Sequence, residues 1–292
     1  MRNINKIVNL FLNNDQSNLM IKMDASTLSL LKENKILLRY LKLCNLSNHQ
    51  LSEQLLDSIE NEKNRVSKLN DIIESISIVL DKHCHDYIIF KNFQHYPDMG
   101  DDIDILIIDN YDEIKNILTN KFNLTVKKQS ILNYLGRKQM LVNYDSGLEI
   151  ELHNKRLGRL GEFKFNKINI HSYLITRDKM LVPGPELQIV INIIQRLYTR
   201  SYFRLSELLK YHDYIQSNQN KRILSAICDQ LRINSGLILY NKIYHSLFNS
   251  QNVNNVKFNL NNSSYIVYKN NLLYIKYIYS LPLVIKRLFN VK

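Results

Sequence analysis

The sequence predicts an α+β protein in which an α/β unit lies between helical flanks. Three observations predict it. Apolar residues recur at helical spacing up to about residue 82 and again after residue 185. Short apolar runs, broken by turn residues, fill the stretch between them. Only 7 Gly and 4 Pro in 292 residues leave too little turn punctuation for a many-stranded sandwich. With 45% hydrophobic residues the chain can fill a sizeable core, so global disorder is excluded. Three regions result: an N-terminal helical region 1–82, a core 83–180 and a C-terminal helical bundle 181–292.

Ser26 and Thr27 precede Leu30, Leu31, Leu38 and Leu41, which predicts one helix ending near Cys44. Ser47 and Gln50 form a capping box, and the stripe Leu51, Leu55, Val66, Leu69, Ile73, Ile76 and Leu80 predicts a long helix to about residue 82. Tyr87 to Phe90 and Ile103 to Ile108 read as buried strands. Residues 111–121 read as a helix, and 123–128, 139–144 and 148–153 as strands, with Asp145-Ser146-Gly147 turning between the last two. Pro185 sets a helix start, followed by Leu187, Val190, Ile191, Ile194 and Tyr198 at helical spacing. Similar stripes recur at Leu205–Leu208–Leu209, Leu224–Ile227–Cys228 and Tyr240–Ile243–Tyr244. The Asn-rich stretch 249–262 reads as a loop.

The three cysteines lie far apart and show no zinc spacing, and His83 and His85 bracket Cys84 without further ligands. Free thiols in a reducing cytosol are expected. Met1 to Asn14 has no sustained apolar run or small-residue cleavage site, and no stretch reaches transmembrane length, so a cytoplasmic location is expected. The net charge of +12 is uneven: residues 181–292 carry 14 basic and 4 acidic side chains. That excess fits either a polyanionic partner such as RNA or a solvated helical surface. In the tail, Tyr265, Tyr268, Tyr274, Tyr277 and Tyr279 interleave with Lys269, Lys276, Lys286 and Arg287, a mixture that can seal the end of a helical bundle, stack on bases and neutralise phosphates, or touch an anionic membrane.

The chemistry-bearing residues sit on two strands. Side chains alternate along a strand, so Asp102 and Asp104 share one face while Ile103, Ile105 and Ile107 take the other. Two acids on one face repel unless a cation intervenes, and hard oxygen ligands after a polar loop suit Mg²⁺ with a triphosphate. Glycosyltransferases use a similar pair for sugar nucleotides. A second acidic strand narrows the choice: Glu149, Glu151 and His153 share a face, and one glutamate completes a three-carboxylate cage. His153 can orient Glu151, bind substrate or sit hydrogen-bonded at a strand end. The basic stretch Lys155, Arg156 and Arg159 can grip a triphosphate or an acceptor, or lie in solvent.

Ile89-Phe90-Lys91-Asn92-Phe93, then Tyr96-Pro97, then Gly100-Asp101-Asp102-Ile103-Asp104-Ile105-Leu106, and later Glu151-Leu152-His153, together resemble the signature of the nucleotidyltransferases of the DNA polymerase beta type. More narrowly they resemble a poorly characterised bacterial and archaeal branch. Arg204-Leu205 and His212-Asp213 match its Arg-Leu and Asp positions, and the likeness spans roughly residues 28 to 250. The resemblance implies a mixed sheet backed by helices. Asp102 and Asp104 would hold two Mg²⁺ or Mn²⁺ ions, with Glu151 on the catalytic one and Glu149 as fallback. Lys91, Asn92, His153 and Arg156 become nucleotide-binding candidates, and Arg204 and Asp213 candidate contacts from the helical region. One departure stands out: Asn92 replaces the family's Gly, which lets backbone N–H groups approach the triphosphate.

The resemblance implies transfer of a nucleoside monophosphate from an NTP to a hydroxyl, with release of pyrophosphate. The alternative is a degenerate member of the same fold that binds nucleotide, nucleic acid or protein without catalysis. A glycosyltransferase is disfavoured, because the chain lacks the long α/β domain that holds a sugar-nucleotide donor.

Overall fold

The computed structural model describes residues 7, 10–11, 24–44, 53–83, 86–90, 92, 95, 97–158, 161–177, 180–199, 203–217, 221–248, 255–260, 263–269 and 275–277. In order, the first half holds α1 (Ala25–Glu33), α2 (Leu37–Cys44), α3 (Glu53–His83), β1 (Tyr87–Phe90), β2 (Ile103–Ile107), α4 (Tyr111–Lys121), β3 (Thr125–Val126), the short α5 (Ile131–Leu135), β4 (Lys138–Asn143) and β5 (Leu148–Asn154). The strands form one sheet in the order β1-β2-β5-β4-β3. The β2–β5 pair is parallel and the others are antiparallel, so the sheet is mixed, as expected. A tight hairpin joins β4 to β5, and Gly147 supplies its positive φ of 70°. The parallel pair needs a long crossover, which α4 and the strands after it provide.

Both faces of this sheet are covered. Ile103, Ile105 and Ile107 pack with Ile73, Ile76 and Leu80 of α3 and with Ile114 and Leu118 of α4. Leu106 and Ile108, with Ile88 and Phe90, join a second cluster that reaches Leu187, Val190 and Ile194. That cluster belongs to α6 (Pro185–Ile193), a π-helical continuation over Ile194–Thr199, α7 (Leu205–Gln216), α8 (Lys221–Gln230) and α9 (Asn234–Phe248). Gly236 of α9 allows the closest approach here: a Cβ there would lie 2.9 Å from both Ile193 Cγ2 and the Tyr198 hydroxyl. A third cluster joins Ile7, Leu10, Leu31 and Tyr40 to Leu205 and Leu209 of α7, so described core residues cross the boundaries at 82 and 180. Among the described residues no helix is long and apolar enough to cross a membrane.

Several elements differ from expectation. The first helix is two helices: Asp24, rather than Ser26, accepts the Thr27 N–H at 2.8 Å, and the chain breaks at Asn34-Lys35. The strand expected over 123–128 shrinks to two exposed residues. Two hairpins were not expected, β6 (Arg156–Leu157) with β7 (Phe163–Lys164) and β8 (Leu174–Arg177) with β9 (Met180–Pro183), because strands of two to four residues carry too little alternation. Among the described residues, the C-terminal region is helical only to Phe248. Beyond it, β10 (Asn255–Leu260), which falls in the stretch 249–262 expected to be a loop, forms an antiparallel sheet with β11 (Ser263–Lys269) and β12 (Ile275–Tyr277). Val256, Phe258 and Leu260 do alternate with Asn255, Lys257 and Asn259, but the Asn-rich composition outweighed that period-two signal. The capping box at Ser47 lies outside the described residues, as do the side chains of the tail tyrosines.

The break after α1 serves the loop before β2. Ile36 N–H donates to Leu31 O and Lys35 N–H to Lys32 O, both at 3.0 Å, a Schellman closure with Lys35 at φ 51° where Gly is usual. Lys35 Nζ then reaches Asp101 Oδ1 at 2.8 Å. The α2 N-terminus is capped from afar, since Asp98 accepts Leu38 N–H at 2.8 Å and Arg39 N–H at 3.1 Å. From α3, Arg65 donates to the carbonyls of Met99 at 2.9 Å and Gly100 at 3.0 Å while Glu62 holds its other edge. Three helices thus clamp residues 98–101.

Burial pushes the Asp98 carboxyl up to about 6; the two backbone bonds and Lys35 pull against this, and Glu62 adds to it. A folded-state value above the unfolded one means the native state holds the proton more tightly. Stability therefore declines as pH rises from about 4 to about 6, by on the order of 2 kcal/mol at ~1.4 kcal/mol per unit. Asp98→Asn keeps a cap acceptor without the charge. Denaturant titrations at pH 4, 5, 6 and 7 are expected to show this decline in the wild type and a flatter profile in the variant.

Candidate functional site: two acidic strands facing an arginine wall

The parallel register sets Asp104 opposite Glu151 and Leu106 opposite His153, and the hairpin sets Lys138 opposite His153 and Met140 opposite Glu151. Directly opposed residues share a face. One face of the sheet therefore carries Phe90, Asp104, Glu151 and Met140 in one row and Ile88, Leu106, His153 and Lys138 in the next. This is the face that the C-terminal helices cover.

Asp104 is fully buried, and Glu151 and His153 nearly so. His153 Nε2 lies 3.4 Å from Asp104 Oδ1 and 3.6 Å from Glu151 Oε1. One ligand atom from each of the three falls within 4.8 Å of the others. Phe90 packs on the imidazole with ring centroids 5.2 Å apart. Lys138 Nζ closes the group at 2.5 Å from Glu151 Oε1. Glu149 sits further out, half-exposed and 3.7 Å from Lys127 Nζ. Of the two glutamates, Glu151 is the one beside Asp104.

Asp104 also borders a cleft lined by His95, Gly100, Asp101, Asp102, Gln195, Arg196 and Arg204. Three carboxylates from the clamped loop and β2 form one wall. The other wall is cationic and comes from the π-helical turn and the start of α7. Gln195 and Arg196 lie within that π turn, a geometry common at functional sites. Arg196 is buried and bonded to Glu207 through Nε at 2.8 Å to both carboxylate oxygens, and through NH2. Glu207 also accepts the Arg204 N–H at 3.1 Å, capping α7. Buried ion pairs give little net stability but fix position.

Arg204 NH1 lies 3.4 Å from His95 Nε2, and His95 Nδ1 lies 2.7 Å from Ser206 Oγ. Burial, then Arg204 and Arg196, holds His95 well below its usual range, so the ring is neutral. A guanidinium only donates, which makes Nε2 the acceptor and puts the proton on Nδ1, toward Ser206. Glu207 Oε1 at 3.8 Å therefore does not form an ion pair with His95. With Arg196 matched by Glu207, Arg204 is the cation of this wall best placed to meet an anion in the cleft.

Among the sequence candidates, the structure brings Asp104, Glu151 and His153 together, and Asp102, Asp104 and Arg204 around the cleft. Asp102 is exposed at the rim, outside the three-residue group. Asn92 is buried; its Nδ2 donates to Asp102 O at 2.7 Å, so the side chain holds the strand start from beneath. Arg156 lies on the β6–β7 hairpin near Arg137, whose charge, after burial, lowers its pKa. Asp213 pairs with Arg39 at 2.9 Å, away from the cleft lining. Lys91 lies outside the described residues. Sequence reasoning missed Lys138, His95, Arg196 and Glu207. Only Arg196 carried a signal, a charge inside an otherwise apolar helical stripe. Compared with known families, curated proteins and solved structures, the chain has no match.

Glu207→Gln strips the buried Arg196 of its counter-charge and is expected to cost about 3 kcal/mol or more in equilibrium unfolding. The double variant Arg196→Met with Glu207→Leu removes both charges, and most of that loss is expected to return.

Proposed function

We propose that the chain is a metal-dependent nucleotidyltransferase of the polymerase beta type, moving a nucleoside monophosphate from an NTP to a hydroxyl. The acceptor oxygen attacks the α-phosphorus, the bond to the β-phosphate oxygen breaks, and pyrophosphate leaves. The observation that carries this reading is one cleft with carboxylates on one wall and Arg204 on the other. A dication bound to polyphosphate needs that pairing: oxygen ligands for the metal, a guanidinium for the phosphate oxygens.

Asp102 and Asp104, with Glu151 beside Asp104, are the residues that would hold the metal. Bound there, a dication supplies charge neutralisation at the phosphates and lowers the pKa of the acceptor hydroxyl. The remaining work falls to the protein. Arg65 and Lys35 neutralise Asp101 and fix the loop, Asn92 ties down the Asp102 carbonyl, and His95 orients Arg204 toward the cleft. The acceptor is the least constrained part, and the basic C-terminal third favours a polyanion such as RNA.

A second reading, a nucleotide- or polyanion-binding module without catalysis, draws on Lys138 and Asn92. The Lys138 ammonium sits on Glu151, and Asn92 stands where the family has Gly.

Incubation with labelled NTPs, Mg²⁺ or Mn²⁺ and an RNA pool tests the two readings. Asp102→Asn and Asp104→Asn are each expected to lower transfer by about 10²-fold or more without loss of fold, since an amide cannot neutralise the cation. Arg204→Ala is expected to raise the KM for NTP about tenfold, with the melting temperature within a few degrees of wild type. NTP binding without transfer in the wild type favours the binding module.

A further inference from the structure

The three-residue group on β2 and β5 has a donor set that the carboxylate reading does not explain. Two of its ligand atoms are carboxylate oxygens, and the third is an imidazole nitrogen. The His153 Nε2 distances of 3.4 and 3.6 Å are long for hydrogen bonds, which run from about 2.7 to 3.2 Å. They equal the edges of a tetrahedral shell: metal–ligand bonds of about 2.0–2.2 Å give edges of roughly 3.3–3.6 Å. The remaining separation lies within 4.8 Å, which a small carboxylate rotation closes. The His153 side chain is 4% exposed, so the ring is fixed by packing against Phe90 with its Nε2 turned to both acids. Its Nδ1 is buried with no hydrogen-bond partner, and the ring's one recorded hydrogen bond is the long contact from Nε2 to Asp104 Oδ1.

Lys138 reports on the same place. Its ammonium, on a half-buried side chain, lies against Glu151 Oε1 on the face the group shares. A positive charge therefore already occupies one side of the group.

We propose that Asp104, Glu151 and His153 form a metal site with His153 as nitrogen ligand, which takes a first-row transition dication in preference to Mg²⁺ and displaces the Lys138 ammonium on binding. Oxygen-only sets suit Mg²⁺, which demands octahedral geometry and sheds water reluctantly; one imidazole and a near-tetrahedral spacing suit Co²⁺ or Zn²⁺. Without an acceptor for Nδ1–H the site lacks the outer partner that usually orients a ligating histidine. Such partners carry about 10–100-fold in affinity, so the metal here is exchangeable. The inference deepens the proposed activity by naming the metal class of one of its sites, and it rests on the same acidic strands.

Binding is read directly on the full chain by calorimetric titration with Co²⁺, Zn²⁺ and Mg²⁺, each without nucleotide. Co²⁺ and Zn²⁺ are expected to bind at least about tenfold more tightly than Mg²⁺. His153→Gln, which offers an oxygen instead of the ring nitrogen, is expected to remove most of that preference while changing Mg²⁺ affinity by less than about threefold. Lys138→Met removes the competing ammonium and is expected to tighten Co²⁺ severalfold, which decides the matter should His153→Gln fail to fold. Equal affinities for Co²⁺ and Mg²⁺ in the wild type overturn the proposal. So does a preference that survives His153→Gln, or a Co²⁺ affinity indifferent to Lys138. The titrations are independent of transfer: selective Co²⁺ binding without transfer leaves the site standing and removes the enzyme, and Mg²⁺-driven transfer without His153-dependent selectivity does the reverse.

Discussion

The register of the β2–β5 pair is the constraint from which the site follows. Ile103 lies against Ile150 and Ile105 against Leu152 on the face packed by α3 and α4. A slip of β2 by one residue would turn Ile103 and Ile105 toward the C-terminal helices and drive Asp104 into the apolar layer, away from Glu151. Core packing on one face therefore holds two carboxylates side by side on the other. The acids need no local stabilisation of their own to be brought together. They are carried there by the hydrophobic side chains between them.

Burial decides what each ion pair in this region does. Arg39–Asp213 and Lys127–Glu149 are partly exposed, screened by water, and contribute little. Arg196–Glu207 is enclosed, and its desolvation cost offsets most of its attraction, so its consequence is geometric: it fixes the π turn against α7. Lys138–Glu151 falls between these cases. Its lysine is exposed enough to move and its glutamate buried enough to need a cation. Of these pairs it is the one in which exchange of one cation for another is physically easiest.

The acidic strands were legible because alternation over Ile103–Ile107 and Leu148–Asn154 is a period-two signal with charges in phase. Residues 111–121 and the long α3 were legible for the matching reason at helical period. The arginine wall was not. Arg204 had its place in the motif, but its partner His95 lies 109 positions away, and no local pattern announces that contact. The cap on α2 is of the same kind, since Asp98 is 60 residues from Leu38. Asn34 bonds the Leu205 N–H from 171 residues away, so the break that splits the first helix belongs to the tertiary packing of α7. Long-range polar contacts carry no periodicity, and these are the ones that build the cleft.

The origin of the two walls bears on what the functional unit is. Carboxylates come from a sheet whose other face is packed by α3 and α4. The cations come from helices that pack on the acidic face through Ile88, Phe90 and Leu106. The loop bearing Asp101 and Asp102 is clamped by α3 and by the corner between α1 and α2, while Leu205 and Leu209 of α7 share a core with α1 and α2. Moving α7 would shift Arg204 and, through that shared core, the corner that holds Lys35 and hence Asp101. The spacing across the cleft is thus set jointly by N-terminal and C-terminal helices. The strand unit alone retains the acids but has neither the cationic wall nor the clamp that defines the distance to it.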